Sequence, residues 1–522
     1  MLQESLFYKF IYSLAAFLAN GWNNSLCAAF FRKLGRALKT LLAGSWLADL
    51  VWREGCVSRT WENSLLYRLP NGLIGLPSRL LHKPYLNASE VLTGSILFRL
   101  LLLFLDRLHV LTAVFLAAAL VVPDQYWHNQ YSLMVFSGLL FLYILRTIAE
   151  GNTGFSFKAL NVFLPVFLVC VVIAVPFSIM PAESSRFLGF HLTGFLALIM
   201  MIASIRNRTE MSETVGIITA GLALSGLYGV YQYVAGVPVN PAWIDPSTNE
   251  GSLRRAWSAF GNPNNFAEVL IMLLPFGAAA FFNAKGWFKK LFFLAAAIPP
   301  FIALLMTLSR SGWIGFAAAA LIFMFFKDKR LIPVFILLGI LVFPFLPQSI
   351  YRRILSIVNP EDTSTLTRVN IYRSVLPILK EYWFSGLGLG SETLVKVMRN
   401  FYMFTKGGTI LPHSHNLYLQ IWFETGIAGI LSFLAFIGAT FKKGIRTIYS
   451  SGDKYIKNIL IAGVSSLSGI LVMGLAEYVW FYPRVQLFFW VAAGLLFAAL
   501  GMALREGKDD AAGAQDKPGE LV

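Results

Sequence analysis

Val485 to Leu504 reads VQLFFWVAAGLLFAALGMAL, twenty residues without a single charged side chain. As an α-helix this stretch is about 30 Å long, the thickness of a bilayer's hydrocarbon core. Working outward, runs of this kind recur along the chain. About twelve candidate spans are read, at approximately 108–123, 131–149, 159–180, 186–204, 214–235, 264–283, 288–308, 311–326, 331–347, 416–441, 457–478 and 485–504. The expected fold is all-α: a polytopic transmembrane helical bundle with a long extracytoplasmic loop, 348–415, between the ninth and tenth spans.

Composition agrees. Of 522 residues, 57% are hydrophobic and only 13% charged, and the mean hydropathy is +0.65. A soluble protein carries about 25% charged residues. The net charge of +16 comes from basic residues scattered between the spans, with no folded soluble domain to carry them, which argues against nucleic-acid binding. Cys27, Cys56 and Cys170 have no metal-ligand spacing and suggest no disulfide framework. The first apolar stretch, Phe10 to Phe31, is interrupted by Asn20, Asn23 and Asn24, unlike a cleavable signal peptide.

Residues 1–107 mix short apolar patches with Arg and Lys and read as a cytoplasmic or interfacial segment; a weakly ordered tail is the alternative. Residues 108–504 form the transmembrane domain, and 505–522 read as a disordered tail. Placing the N-terminus inside puts Arg206, Arg208, Lys285, Lys289, Lys290, Lys327, Lys329, Arg330, Lys442, Lys443, Arg446, Lys454 and Lys457 in inner loops. The outer loop 124–130 then has no Lys or Arg, and 181–186 has only Arg186, the positive-inside pattern. An even number of spans returns the C-terminus to the cytoplasm.

Against that pattern, the outer surface keeps Arg254, Arg255, Arg310, Arg352, Arg353, Arg368 and Arg373. Arginine where topology disfavours it points to an anionic ligand, and its planar fork suits a diphosphate. Arg368 to Trp383 carries Val369, Tyr372, Leu376 and Leu379 at helical spacing, which reads as a helix on the membrane surface inside the long loop, with ordinary loop packing as the alternative.

Three polar motifs interrupt the apolar pattern. In Arg254 to Glu268, Gly261-Asn262-Pro263-Asn264 signals a turn, and Asn264 or Asn265 is placed to cap the next helix. Its outward N-terminus would favour an anion, although a capped span explains the same residues. In Ser309-Arg310-Ser311-Gly312-Trp313, Arg310 sits at the membrane face, where a charge needs a partner, a ligand or a lipid phosphate. In Pro412-His413-Ser414-His415-Asn416-Leu417, an imidazole sits where a loop enters an apolar helix and can move a proton near neutral pH. His413 and His415 are also conceivable metal ligands, but no carboxylate cluster accompanies them. Glu424, Glu268 and Glu477 are further acids in or near spans; each is a functional candidate or a satisfied core group.

Taken in order, these stretches resemble the O-antigen ligase and O-antigen polymerase family. The matching residues are Arg255 through Asn264, Ser309 through Trp313, Arg368 with Gly386-Leu387-Gly388-Leu389-Gly390, and His415-Asn416 followed by Gly426 and Gly429. They fall within residues 254–430, about a third of the chain. The resemblance implies a glycosyltransferase-C-like fold and a metal-independent glycosyltransferase without cofactors. Its donor would be a glycan on polyprenyl diphosphate, its acceptor a hydroxyl of a glycan, lipid or protein, and its location the outer face of the cytoplasmic membrane. His415 and Arg310 would be catalytic. Arg255, Arg254, Asn264, Arg368, His413 and Asn416 would bind diphosphate and glycan. Ligation is favoured by the spacing from His415 to Gly429. Repeat-unit polymerisation and protein O-oligosaccharyl transfer are the enzymatic alternatives. A secondary transporter is a further one, against which the polar residues gather at one face rather than at mid-membrane.

Overall fold

The computed structural model describes residues 63–152, 157–240, 254–358, 363–400 and 412–515, with isolated positions before 63. Among them every regular element is helical. The helices are α1 Leu65–Gly94, α2 Ile96–Asp106, α3 Leu108–Val121, α4 Asn129–Glu150, α5 Phe163–Ile173, α6 Pro181–Ser204, α7 Arg208–Ala235, α8 Pro263–Asn283 and α9 Trp287–Met306. They continue as α10 Arg310–Lys327, α11 Leu331–Val342, α12 Gln348–Leu355, α13 Thr363–Tyr382, α14 Ser391–Asn400, α15 Leu417–Ser450, α16 Lys454–Met473 and α17 Pro483–Gln515.

Nine of the described helices, α4, α6 to α10 and α15 to α17, are long and apolar enough to cross a membrane. A tenth is reached if α1 and α2, bent by 117° to one another, count as one span. The expected twelve are not reached among the described residues. The three remaining runs form shorter helices at Leu108–Val121, Phe163–Ile173 and Leu331–Phe345. Proline supplies the reason. Pro123, Pro176 and Pro347 follow these helices, and Pro344 tightens the last turn of the third. A proline lacks the amide hydrogen a helix needs and restricts the residue before it. The 348–415 segment, expected as a loop, holds α12, α13 and α14 over its described residues. The helical spacing read from Arg368 falls within α13; residues 401–411 lie outside the described ones.

The bundle is built around α8, α16 and α17, whose membrane windows are the most buried. α10 packs along α16, α6 along α17, and α7 against both α3 and α9. The α10–α16 crossing depends on Gly315 and Gly469. A Cβ on either would fall within 2.8 Å of the other's carbonyl oxygen, so small residues let the backbones touch. At one end of the bundle lie the N-termini of α8, α10, α15 and α17 and the C-terminus of α16. The polar motifs converge there.

Candidate active site

The histidine motif is shaped by a broken helix. α15 is interrupted at Gly426, whose backbone is non-helical at φ 67°, ψ −171°. The glycine-rich segment 386–390 fills the break. Leu387 N–H donates to Phe423 O at 2.5 Å, and Ile427 N–H donates to Phe384 O at 3.3 Å, so backbone groups freed by the break find partners. A Cβ on Gly426 would sit 2.0 Å from Phe384 O, and one on Gly386 would sit 2.6 Å from Gly426 N. Only glycine fits this contact at positive φ.

At the N-terminus of this short half-helix, Asn416 is the cap. Its Oδ1 accepts from Tyr418 N–H and Leu419 N–H, both at 3.0 Å, while its Nδ2 donates to Leu475 O at 2.9 Å. His415, just before it, is left-handed at φ 49°. Ser258 and Leu308, at φ 48° and 52°, are the other two described non-glycine residues with positive φ, and both lie beside the arginine motifs. Strained backbone of this kind, costing about 1–3 kcal/mol per residue, concentrates at functional sites.

Glu477, in the turn between α16 and α17, joins three motifs. Its Oε2 lies 3.3 Å from His415 Nδ1. Its Oε1 accepts from Asn264 Nδ2 at 3.3 Å and from Arg368 Nη2, with which it also forms a salt bridge. Arg368 Nε is anchored on Ala476 O at 2.8 Å. Burial alone would push the Glu477 carboxyl up; the Arg368 guanidinium and the neighbouring histidines outweigh it and hold it at about 2. An ionised carboxylate only accepts, so the His415 Nδ1 that faces it is the donor, and Nε2 points away from that bond.

Burial, then the neighbouring His415, pushes His413 down to about 3. Its ring packs 4.5 Å from Phe481, centroid to centroid, and its Nδ1 accepts from His415 N–H at 3.2 Å. Tyr372 of α13 donates to Leu475 O at 3.1 Å and to His415 O at 3.3 Å. Beneath, Glu424 is buried and accepts from Gln420 Nε2 at 3.2 Å and from the Tyr478 hydroxyl at 2.9 Å; Gln420 Oε1 accepts from Ser414 N–H.

Arg255 reaches this cluster through Asn264. Arg255 is 7% exposed. It donates from Nε to Thr307 O at 2.8 Å and from Nη2 to Asn264 Oδ1 at 3.2 Å. Arg310, the first residue of α10, donates from Nη1 to Ser356 O at 2.9 Å. Arg254 is exposed and turned aside, its Nη1 donating to Val234 O at 3.3 Å. The cap of α8 is Asn262, whose side chain accepts from Asn264 N–H, rather than Asn264 or Asn265. Pro263 takes the first helical position, which puts the cap on the residue before it. Glu268 lies one turn further into α8, buried, within reach of the Glu477 charge.

Asn264, Arg368, His415 and Glu477 therefore meet directly, and Arg255 joins them through Asn264. Glu477 ranked behind the histidine in the sequence; its one signal was an acid at the end of an apolar run. Tyr372, Gln420 and Tyr478 gave none. Among the described residues no three His, Cys, Asp or Glu side chains are grouped to hold a metal ion.

Residues 292–434 match the family model described as O-antigen ligase. This stretch carries the O-antigen ligase domain. The matched O-antigen ligase segment includes Arg310, Arg368, His415 and Gly426, while Arg255, Asn264 and Glu477 lie outside it and are brought to it by the fold. No curated protein sequence matches the chain.

Proposed function

We propose that this protein is a surface-polysaccharide ligase. It transfers a glycan from a polyprenyl-diphosphate carrier to an acceptor hydroxyl at the outer face of the cytoplasmic membrane. The observation that carries this reading is His415 held by the Glu477 carboxylate beside buried arginines, in a chain with an O-antigen ligase domain.

The step proceeds as follows. His415 Nε2 accepts the proton of the acceptor hydroxyl, and the oxygen attacks the anomeric carbon. The bond from that carbon to the diphosphate oxygen breaks, and its electron pair leaves on the diphosphate. Glu477 stabilises the imidazolium that forms. Arg310 and Arg255 stabilise the charge on the leaving group, doing electrostatically what a metal ion does in other glycosyl transfers. Asn264 and Arg368 hold Glu477, and Asn416 fixes the turn that presents His415. The chain's basic residues support the orientation. Arg206, Arg208, Lys285, Lys289, Lys327, Arg330, Lys454 and Lys457 all lie at the end of the bundle opposite His415, which the positive-inside rule assigns to the cytoplasm.

The test is the lipid-linked glycan pool of cells lacking the gene. Long polymers accumulating on the carrier are expected for a missing ligase. Single repeat units would instead indicate a polymerase, and an unchanged pool would contradict glycan transfer.

A further inference from the structure

The first half of α15, from Leu417 to the break at Gly426, carries Gln420 and Glu424 four residues apart and so on one face. Helical side chains lean toward the N-terminus, and each of these two is bonded to the turn before it. Glu424 Oε1 accepts from Gln420 Nε2 at 3.2 Å, and Gln420 Oε1 accepts from Ser414 N–H at 3.0 Å. The same Glu424 oxygen accepts from the Tyr478 hydroxyl at 2.9 Å. The carboxyl also takes a bond from the backbone of Gly390, in the segment that fills the break. Ser414, Gln420, Glu424 and Tyr478 are all buried, where a satisfied polar network is rigid.

Both branches of this network end beside the His415–Glu477 pair. Ser414 precedes His415 and Tyr478 follows Glu477, whose Oε2 lies 3.3 Å from His415 Nδ1. The direction of the Gln420 amide matters. Glu424 Oε1 receives donors, so Gln420 turns its NH2 group to Glu424 and its oxygen to Ser414 N–H. An amide at position 424 could donate as well as accept and would leave that direction open. We propose that Glu424 is a positioning residue: it sets the direction of the Gln420 amide and holds the Tyr478 hydroxyl, and so fixes His415 relative to Glu477. This rests on the glycan-transfer reading above. It goes further because Glu424 touches neither member of the pair, yet ties the turn that carries the histidine to the turn that carries the carboxylate. Its effect falls on the chemical step, where a misplacement of about 1 Å costs about 10²-fold.

The test uses full-length protein purified in detergent. Its substrate is a detergent extract of envelopes from cells lacking the gene, which holds both the lipid-linked glycan and the native acceptors. The rate at saturating extract and the extract concentration at half that rate serve as kcat and KM. Glu424→Gln and Gln420→Glu both keep side-chain shape. The first frees the Gln420 amide to turn, and the second sets two carboxyls against each other. Each is expected to lower kcat about tenfold or more with KM within about twofold. The double variant exchanges the two groups. The new amide at 424 then donates to the new carboxyl at 420, which accepts from Ser414 N–H, and the amide oxygen still takes the Tyr478 hydroxyl. It is expected to bring kcat back to within about threefold of wild type. A double variant as slow as the product of the two singles would overturn the positioning role. So would a recovered unfolding temperature without a recovered kcat, which would make the network structural only. A second readout needs no transfer: the 15N resonance of His415 in histidine-labelled protein, identified by its loss in His415→Ala. It is expected to shift in both single variants and to return in the double. An unmoved resonance in the singles would also overturn the proposal. Wild type that transfers no glycan while the resonance shifts and returns in this way would remove the glycan-transfer reading and leave the positioning of His415 by Glu424 standing.

Discussion

Glu477 takes contacts from Asn264, Arg368 and His415, which lie 213, 109 and 62 residues away in sequence. His415 and Arg310 stand out in the sequence because they are polar groups at the edges of apolar runs, but nothing local to Glu477 announces those three partners. Glu477→Gln keeps the shape and removes the charge that orients the imidazole. Transfer is expected to fall by about 10²- to 10⁴-fold, read as the transfer rate of membrane-inserted protein. Arg368→Gln leaves Glu477 buried without its strongest partner. It is expected to destabilise the fold by about 3 kcal/mol, measured by unfolding in detergent. His413 gives a pH signature. Its folded value of about 3 lies below the ordinary 6.5, so the unfolded chain binds the proton more readily. The contribution to stability is full above 6.5 and is lost progressively as pH falls toward 3. His413→Gln is expected to flatten that acid loss; an unchanged slope would show that His413 does not titrate this way.

At the scale of elements, the break in α15 carries the most information. Gly426 and Gly429 are visible in the sequence as a spaced pair, yet apolar periodicity runs straight through them and suggests one continuous span. The partner that makes the break stable, the glycine-rich segment at 386–390, lies some forty residues earlier in the chain. Two substitutions on one helix separate the effects. Gly426→Ala places a methyl group against Phe384 O and forces a positive φ on alanine. It is expected to destabilise by more than about 2 kcal/mol and to reduce transfer. Gly438→Ala meets nothing within 4 Å and sits in regular helix. It is expected to be neutral or to stabilise by up to about 1 kcal/mol. Thermal unfolding of the two purified variants checks both.

For the whole molecule, the helical class and the position of most spans follow from hydropathy alone. Span number does not, because Pro123, Pro176 and Pro347 limit apolar runs that composition counts as full crossings. Sidedness is testable directly. In a variant without its own cysteines, His128→Cys lies at the same end as His415, and Lys285→Cys at the opposite end. The first is expected to react with an impermeant thiol reagent from outside the cell and the second only after lysis; the reverse would place the site in the cytoplasm. The most direct test of the central claim is transfer itself. Purified protein is reconstituted with a polyprenyl-diphosphate-linked glycan and an acceptor, and single-turnover transfer is compared for wild type and His415→Ala. The expected result is transfer by wild type and none above background by the variant, with the donor still bound. Near-normal transfer by His415→Ala would contradict the assignment of the catalytic base and, with it, the role given to Glu477.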